Sequence, residues 1–196
     1  MSIFKKIRQL LSLPKRSKPA SPKPDKPISQ ELTAWLDECG WRYKHDMKGS
    51  VHHLMAGFSD HTHDWTFVIL VNEDSGVVSM LGILEQTVPA SYYLQILTAL
   101  AQMNLVLVHG SLGFDGEHGE AYAKLTINTR FGAISKEMLD YHLQMLAELV
   151  VLTKDTVQTV LTNGDIDELI AQKLGDDVVP KSDEITTFFL PTRTYQ

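Results

Sequence analysis

The sequence predicts an α+β protein built as a helix, a block of antiparallel strands, a second helix, a hairpin and one long helix. Short apolar or alternating runs between residues 41 and 84 are separated by turns containing Gly, Asn and Asp, as successive strands require. Before and after that block, apolar residues recur at the i, i+3, i+4 spacing of a helix face. One Cys in 196 residues excludes an intrachain disulfide framework and a Cys-rich structural zinc, so stability has to come from an apolar core, for which 43% hydrophobic content is ample.

The chain opens with a segment of different character. In residues 1–13, Ile3, Phe4, Ile7, Leu10 and Leu11 share one helical face, and Lys5, Lys6, Arg8 and Gln9 occupy the other. Such a basic amphipathic helix suits an anionic membrane surface or a partner protein; interrupting charges and the lack of a cleavage site argue against a secretory signal. Residues 14–27 hold Pro14, Pro19, Pro22, Pro24 and Pro27, five of the eight prolines, and read as an extended linker. Residues 1–27 carry eight Lys and Arg against Asp25 alone, a net +7, leaving −13 for the rest of a chain whose net charge is −6. The folded part is therefore acidic, which excludes a domain-wide duplex-DNA footprint. No apolar run approaches the roughly 20 residues of a membrane span.

From Ile28 the sequence is that of a compact unit, expected over 28–162. Ser29 is the expected N-cap of a helix burying Leu32, Trp35, Leu36 and Cys39, with Gly40 as its left-handed stop. Trp41, Tyr43, His45 and Met47 alternate with Arg42, Lys44 and Asp46, predicting a half-buried strand. Val51 to Phe58 is a second strand, and the continuous apolar run Trp65 to Val71 predicts a third, buried on both faces. Asn72 to Gly76 is a turn into a partner strand, Val77 to Leu84. Pro89 opens a helix with Tyr93, Ile96, Leu97, Leu100 and Met103 on one stripe and Asn104 as its expected stop. Leu105 to Phe114 and Glu120 to Thr129 are the expected second hairpin.

Ser135 caps a predicted helix reaching about Leu161. Its Leu139, Leu143, Leu146 and Val150 form one apolar row and Met138, Met145, Leu149 and Leu152 another, beyond what one sheet face absorbs. Leu146 and Leu149 are therefore the candidate dimer or groove residues, one from each row. Residues 163–196 are expected to be an acidic, mostly flexible tail, with one short helix carrying Ile166, Leu169, Ile170 and Leu174.

This succession resembles the YbjN family, whose members share the fold of type III secretion chaperones. The resemblance spans about Ile28 to Leu161. It rests on Trp41 and Trp65 at strand starts, the turn Glu73-Asp74-Ser75-Gly76, Val88-Pro89 at the second helix, the stretch Asn104 to Gly110 leading into Phe114-Asp115, and Gly119-Glu120 opening the return strand. The resemblance implies an apolar strand between Asn104 and Gly110, a chaperone-like module and a dimeric habit.

Chemical motifs are sparse. Asp60, His61, His63 and Asp64 place imidazoles and carboxylates within five positions, with His45, His52 and His53 nearby in sequence; metal binding or an enzyme using this turn at 60–64 is the alternative reading. Gly110-Ser111-Leu112-Gly113 lacks the spacing of a nucleophile elbow, and Gly110, Gly113, Gly116 and Gly119 lack the Lys and helix start of a phosphate cradle. No catalytic, cofactor-binding or metal residue is assigned. The expected function is a non-catalytic, chaperone-like or regulatory protein-interaction module: a homodimer binding an unidentified protein client and no nucleic acid. It is expected to be cytoplasmic, with Ile3, Phe4, Lys5, Lys6, Ile7, Arg8, Leu10 and Leu11 holding it to the inner membrane face or to a partner.

Overall fold

The computed structural model describes residues 26–59, 64–132 and 134–174. Helix α1 (Ile28–Glu38) is followed by strands β1 (Lys44–Lys48), β2 (Val51–Ser59), β3 (Asp64–Asn72) and β4 (Val77–Thr87). A short 3-10 turn, Ala90–Tyr92, leads into α2 (Tyr93–Val106); β5 (Ser111–Asp115), β6 (Glu120–Asn128), α3 (Lys136–Leu161) and α4 (Ile166–Leu174) complete the order. This is the α+β class that the sequence predicts.

The described strands form one antiparallel sheet ordered β1-β2-β3-β4-β6-β5. The connection through α2 carries the chain to the far edge, and β6 returns beside β4. Side chains directly opposite one another across strands share a face, so Leu54, Ile69, Met80 and Leu125 form one row and Ala56, Phe67, Gly82, Ala123 and Leu112 the next. Both rows belong to a core that also includes Leu32, Trp35 and Leu36 of α1, Ile96 and Met103 of α2, and Leu146 and Val157 of α3. At Gly82 α3 lies close to the sheet: a Cβ there would run into Val150 and the Trp65 ring.

Burial on β3 is uneven. Trp65, Phe67, Ile69 and Val71 are at most 2% exposed; on the other face Val68 is buried, at 8%, while Thr66 and Leu70 are only half-buried. The expected burial of both faces therefore holds at Val68 and is corrected at Thr66 and Leu70. The expected half-buried first strand is corrected as well: all five β1 residues are exposed, Met47 by 67%, and only Trp41 and Tyr43 ahead of the strand pack against the core. An edge strand has one neighbour, and its Lys44 and Lys48 suit a solvated edge.

The ends of α1 also differ from expectation. Gly40 is left-handed as expected (φ +71°), and the Trp41 amide donates to Leu36 O at 3.0 Å. Cys39, however, is exposed, since it stands past the last helical residue and faces away from the sheet-covered stripe. Ser29 is not the N-cap. The helix begins at Ile28 after Pro27, with no side-chain cap from within the segment. Glu73, in the β3–β4 turn, supplies the missing acceptors: its Oε2 accepts from Ile28 N at 3.1 Å and its Oε1 from Ser29 N at 2.8 Å. The Trp35 indole donates to Asp140 Oδ1 at 2.8 Å, tying α1 to α3.

Asn104 does not stop α2, which continues to Val106, and residues 107–110 are not strand. The hairpin strand implied from Leu105 onward starts six residues later, at Ser111. The Asn104 amide instead pairs with Leu112, donating to its carbonyl at 2.8 Å and accepting its N–H at 2.8 Å. It stands where a neighbouring strand would, so part of the β5 edge is satisfied by a side chain. Ser135 caps α3 as expected, accepting from Met138 N at 3.2 Å.

Candidate interaction surface

Helix α2 contains no charged residue in its 14 positions. One face, carrying Ile96, Leu100 and Met103, is buried on the sheet and α3. The opposite face carries Leu94, Leu97, Ala101 and Leu105 at i, i+3, i+7 and i+11, and its three leucines are 76%, 49% and 55% exposed. Val108, just past the helix, is 86% exposed. Gln95, Thr98 and Gln102 are exposed beside it, but a row of exposed leucines along one helix face is apolar surface without cover.

Two grooves flank the stripe. One, of about 460 Å³, runs between α2 and the junction of α3 with α4, and is lined by Leu94, Thr98, Gln102, Val160 and Ile166 among others. A smaller one, of about 250 Å³, lies at the other end of α2, where Leu107 and His109 face Met145, Glu148 and Leu149 of α3 and Lys173 of α4. Lys173 pairs with Asp155 at 2.6 Å, fixing α4 beside α3.

The sequence placed the excess apolar surface on α3. Leu146 is fully buried and Leu149 is 7% exposed. Much of both rows is covered, with α2 and α4 packed against α3 and Leu169 and Ile170 of α4 buried, while Met138, Leu143 and Met145 stay half-buried. Leu149 still borders the smaller groove, whereas Leu146 is core. The uncovered apolar face is that of α2. Its signal in the sequence is fourteen residues without a charge, enough for two buried faces rather than one stripe.

Ile3, Phe4, Lys5, Lys6, Ile7, Arg8, Leu10 and Leu11 lie outside the described residues, as do Asp60, His61 and His63. His53 stands on the opposite face of β2 from His52. His45 Nε2 and His52 Nδ1 are 3.0 Å apart. Among the described residues, no three or more His, Cys, Asp or Glu side chains converge as a metal-holding group.

Glu73 and Asp115 are among the carboxylates held below their ordinary values. Burial pushes the Glu73 carboxyl up, but the Ser29 and Ile28 amides and the charge of His52 together outweigh it and hold the group below its ordinary value. At the β5–β6 turn, Asp115 Oδ2 meets His118 Nδ1 at 2.9 Å; the hydrogen bond lowers the Asp115 pKa and raises that of His118. No described helix is long and apolar enough to cross a membrane.

No family model matches the chain, and neither does any curated protein. The chain aligns over much of its length with solved structures, two of which follow. One is YbjN from E. coli, for which a transcription-regulator role has been suggested: identity is 12%, the match covers 69% of this chain and 93% of that one, and the TM-score is 0.46. Another is a chain of the HopA1–SchA chaperone–effector complex, with 16% identity, coverage of 67% and 94%, and a TM-score of 0.44.

Proposed function

We propose that this chain is a non-catalytic protein-interaction module whose α2 outer face seats a protein partner, in the first instance a second copy of the chain. The observation that carries this reading is the uncovered stripe of Leu94, Leu97 and Leu105 on a helix without charges. Its desolvation on docking favours association at roughly 25 cal/mol per Å² of apolar surface. The two grooves beside it offer concave sites for side chains of a partner or client segment. A chaperone-like or regulatory role follows if the dimer presents those grooves to an unidentified client.

The basic segment at residues 1–13 adds a second element to the proposal. Ile3, Phe4, Ile7, Leu10 and Leu11 would enter the acyl boundary, with Lys5, Lys6 and Arg8 meeting anionic headgroups, which places the module in the cytoplasm at the inner membrane face. The test is affinity capture from the native cell with the full chain, a Leu94→Asp/Leu105→Asp variant and a form lacking residues 1–27. Partners lost with the leucines but retained without residues 1–27 support the module; identical partner sets for all three forms reject it.

A further inference from the structure

The β1–β2 hairpin brings two imidazoles together at the exposed sheet edge. His45 is opposite Leu54 and His52 is opposite Met47, so the histidines are diagonal neighbours on one face of the ribbon. Such diagonals separate Cα atoms by about 7–8 Å, a span that two facing imidazoles bridge. Here His45 Nε2 and His52 Nδ1 are 3.0 Å apart, with ring centroids at 5.3 Å and planes inclined by 38°. A contact of this length needs one ring to donate N–H and the other to accept, so the accepting lone pair is engaged by the shared proton, whose place a metal ion would take. Burial does not force the rings together, because all five β1 residues are exposed.

Two nitrogens converging at this distance are close to a chelating arrangement. Imidazole nitrogens about 2.0–2.1 Å from a tetrahedral ion lie roughly 3.3–3.4 Å from each other, which a few tenths of an ångström of ring movement supplies. Met47, on the same face and directly opposite His52, adds a thioether that is 67% exposed as a residue.

We propose that His45 and His52 form a two-imidazole site for a divalent transition ion of the imidazole-preferring kind, Zn²⁺ or Cu²⁺, with water completing the coordination. A bound ion cross-links β1 to β2 at the sheet edge. The site uses none of the residues of the expected metal turn at 60–64.

The test is calorimetric titration of untagged full-length protein with Zn²⁺ and, separately, Cu²⁺. One equivalent should bind, His45→Ala and His52→Ala should each weaken binding roughly tenfold or more, and His53→Ala and a His61→Ala/His63→Ala double change should leave it intact. Circular dichroism of the metal-free variants should match the unmodified protein, since the substituted side chains lie at the exposed ribbon. Substoichiometric Cu²⁺ should broaden the His45 and His52 ring resonances before any other. Absence of binding, binding indifferent to His45→Ala and His52→Ala, or loss only in the His61→Ala/His63→Ala protein overturns the assignment.

Discussion

Glu73 and Ser29 are 44 positions apart, yet a Glu73 carboxylate oxygen accepts the Ser29 amide at 2.8 Å while the other accepts that of Ile28 at 3.1 Å. The β3–β4 turn therefore caps α1, satisfying donors that a helix start leaves open and placing a negative charge at the positive end of the helix dipole.

Glu73→Ala should cost about 1 kcal/mol, the usual worth of an N-cap, measured by urea unfolding. The lowered native pKa sets the sign of the pH dependence. The contribution of Glu73 is complete above its unfolded pKa, near the ordinary 4.5, and is lost as pH falls through the depressed native value. Glu73→Gln should remove that acid-side slope.

Gly82→Ala should destabilise the domain by about 1–3 kcal/mol, because the added methyl has to displace Val150 and the Trp65 ring. Val150→Ala in the same chain should recover part of the loss, and a double-mutant cycle gives the coupling. Equal losses with and without Val150→Ala would show that the closeness of α3 to β4 is not the cause.

The Asp115–His118 pair should titrate as a unit. Its contribution is complete below the ordinary His value of 6.5 and fades as pH rises through the raised native pKa of His118; on the acid side it is present above the ordinary Asp value of 3.8 and fades through the lowered native pKa of Asp115. Asp115→Asn should return the His118 titration, followed by NMR, toward its ordinary value.

Phe4→Asp should abolish sedimentation of the full chain with anionic vesicles, and added salt should weaken it, each nearby Lys or Arg contributing about 1 kcal/mol at low screening. Equal sedimentation of a form lacking residues 1–27 would remove the tether from the account.

What the sequence discloses follows the range of the interactions involved. The Ser135 cap and the Gly40 stop are local chemistry and could be located from a few neighbouring residues. The Trp65–Val71 strand declares itself by composition, but which of its faces is covered depends on helices far along the chain. Glu73 as a cap and Asn104 as a strand substitute involve partners 44 and 8 residues away, outside any helical or strand period. Cys39 shares the apolar spacing of Leu32, Trp35 and Leu36, yet the helix ends before it, so the periodicity overreached by one residue. The two apolar rows of α3 were legible, but not that α2 and α4 would cover them, and this moved the open face from Leu146 and Leu149 to Leu94, Leu97 and Leu105.

The most direct test of the interaction-module reading is sedimentation velocity at micromolar concentration on the unmodified chain and on Leu94→Asp/Leu105→Asp. Both leucines are more than half exposed, so the substitutions should shift stability by no more than about 0.5 kcal/mol each. The account predicts a dimer for the unmodified protein and a folded monomer for the variant. A monomer for the unmodified chain, or a dimer that survives both substitutions, would contradict it.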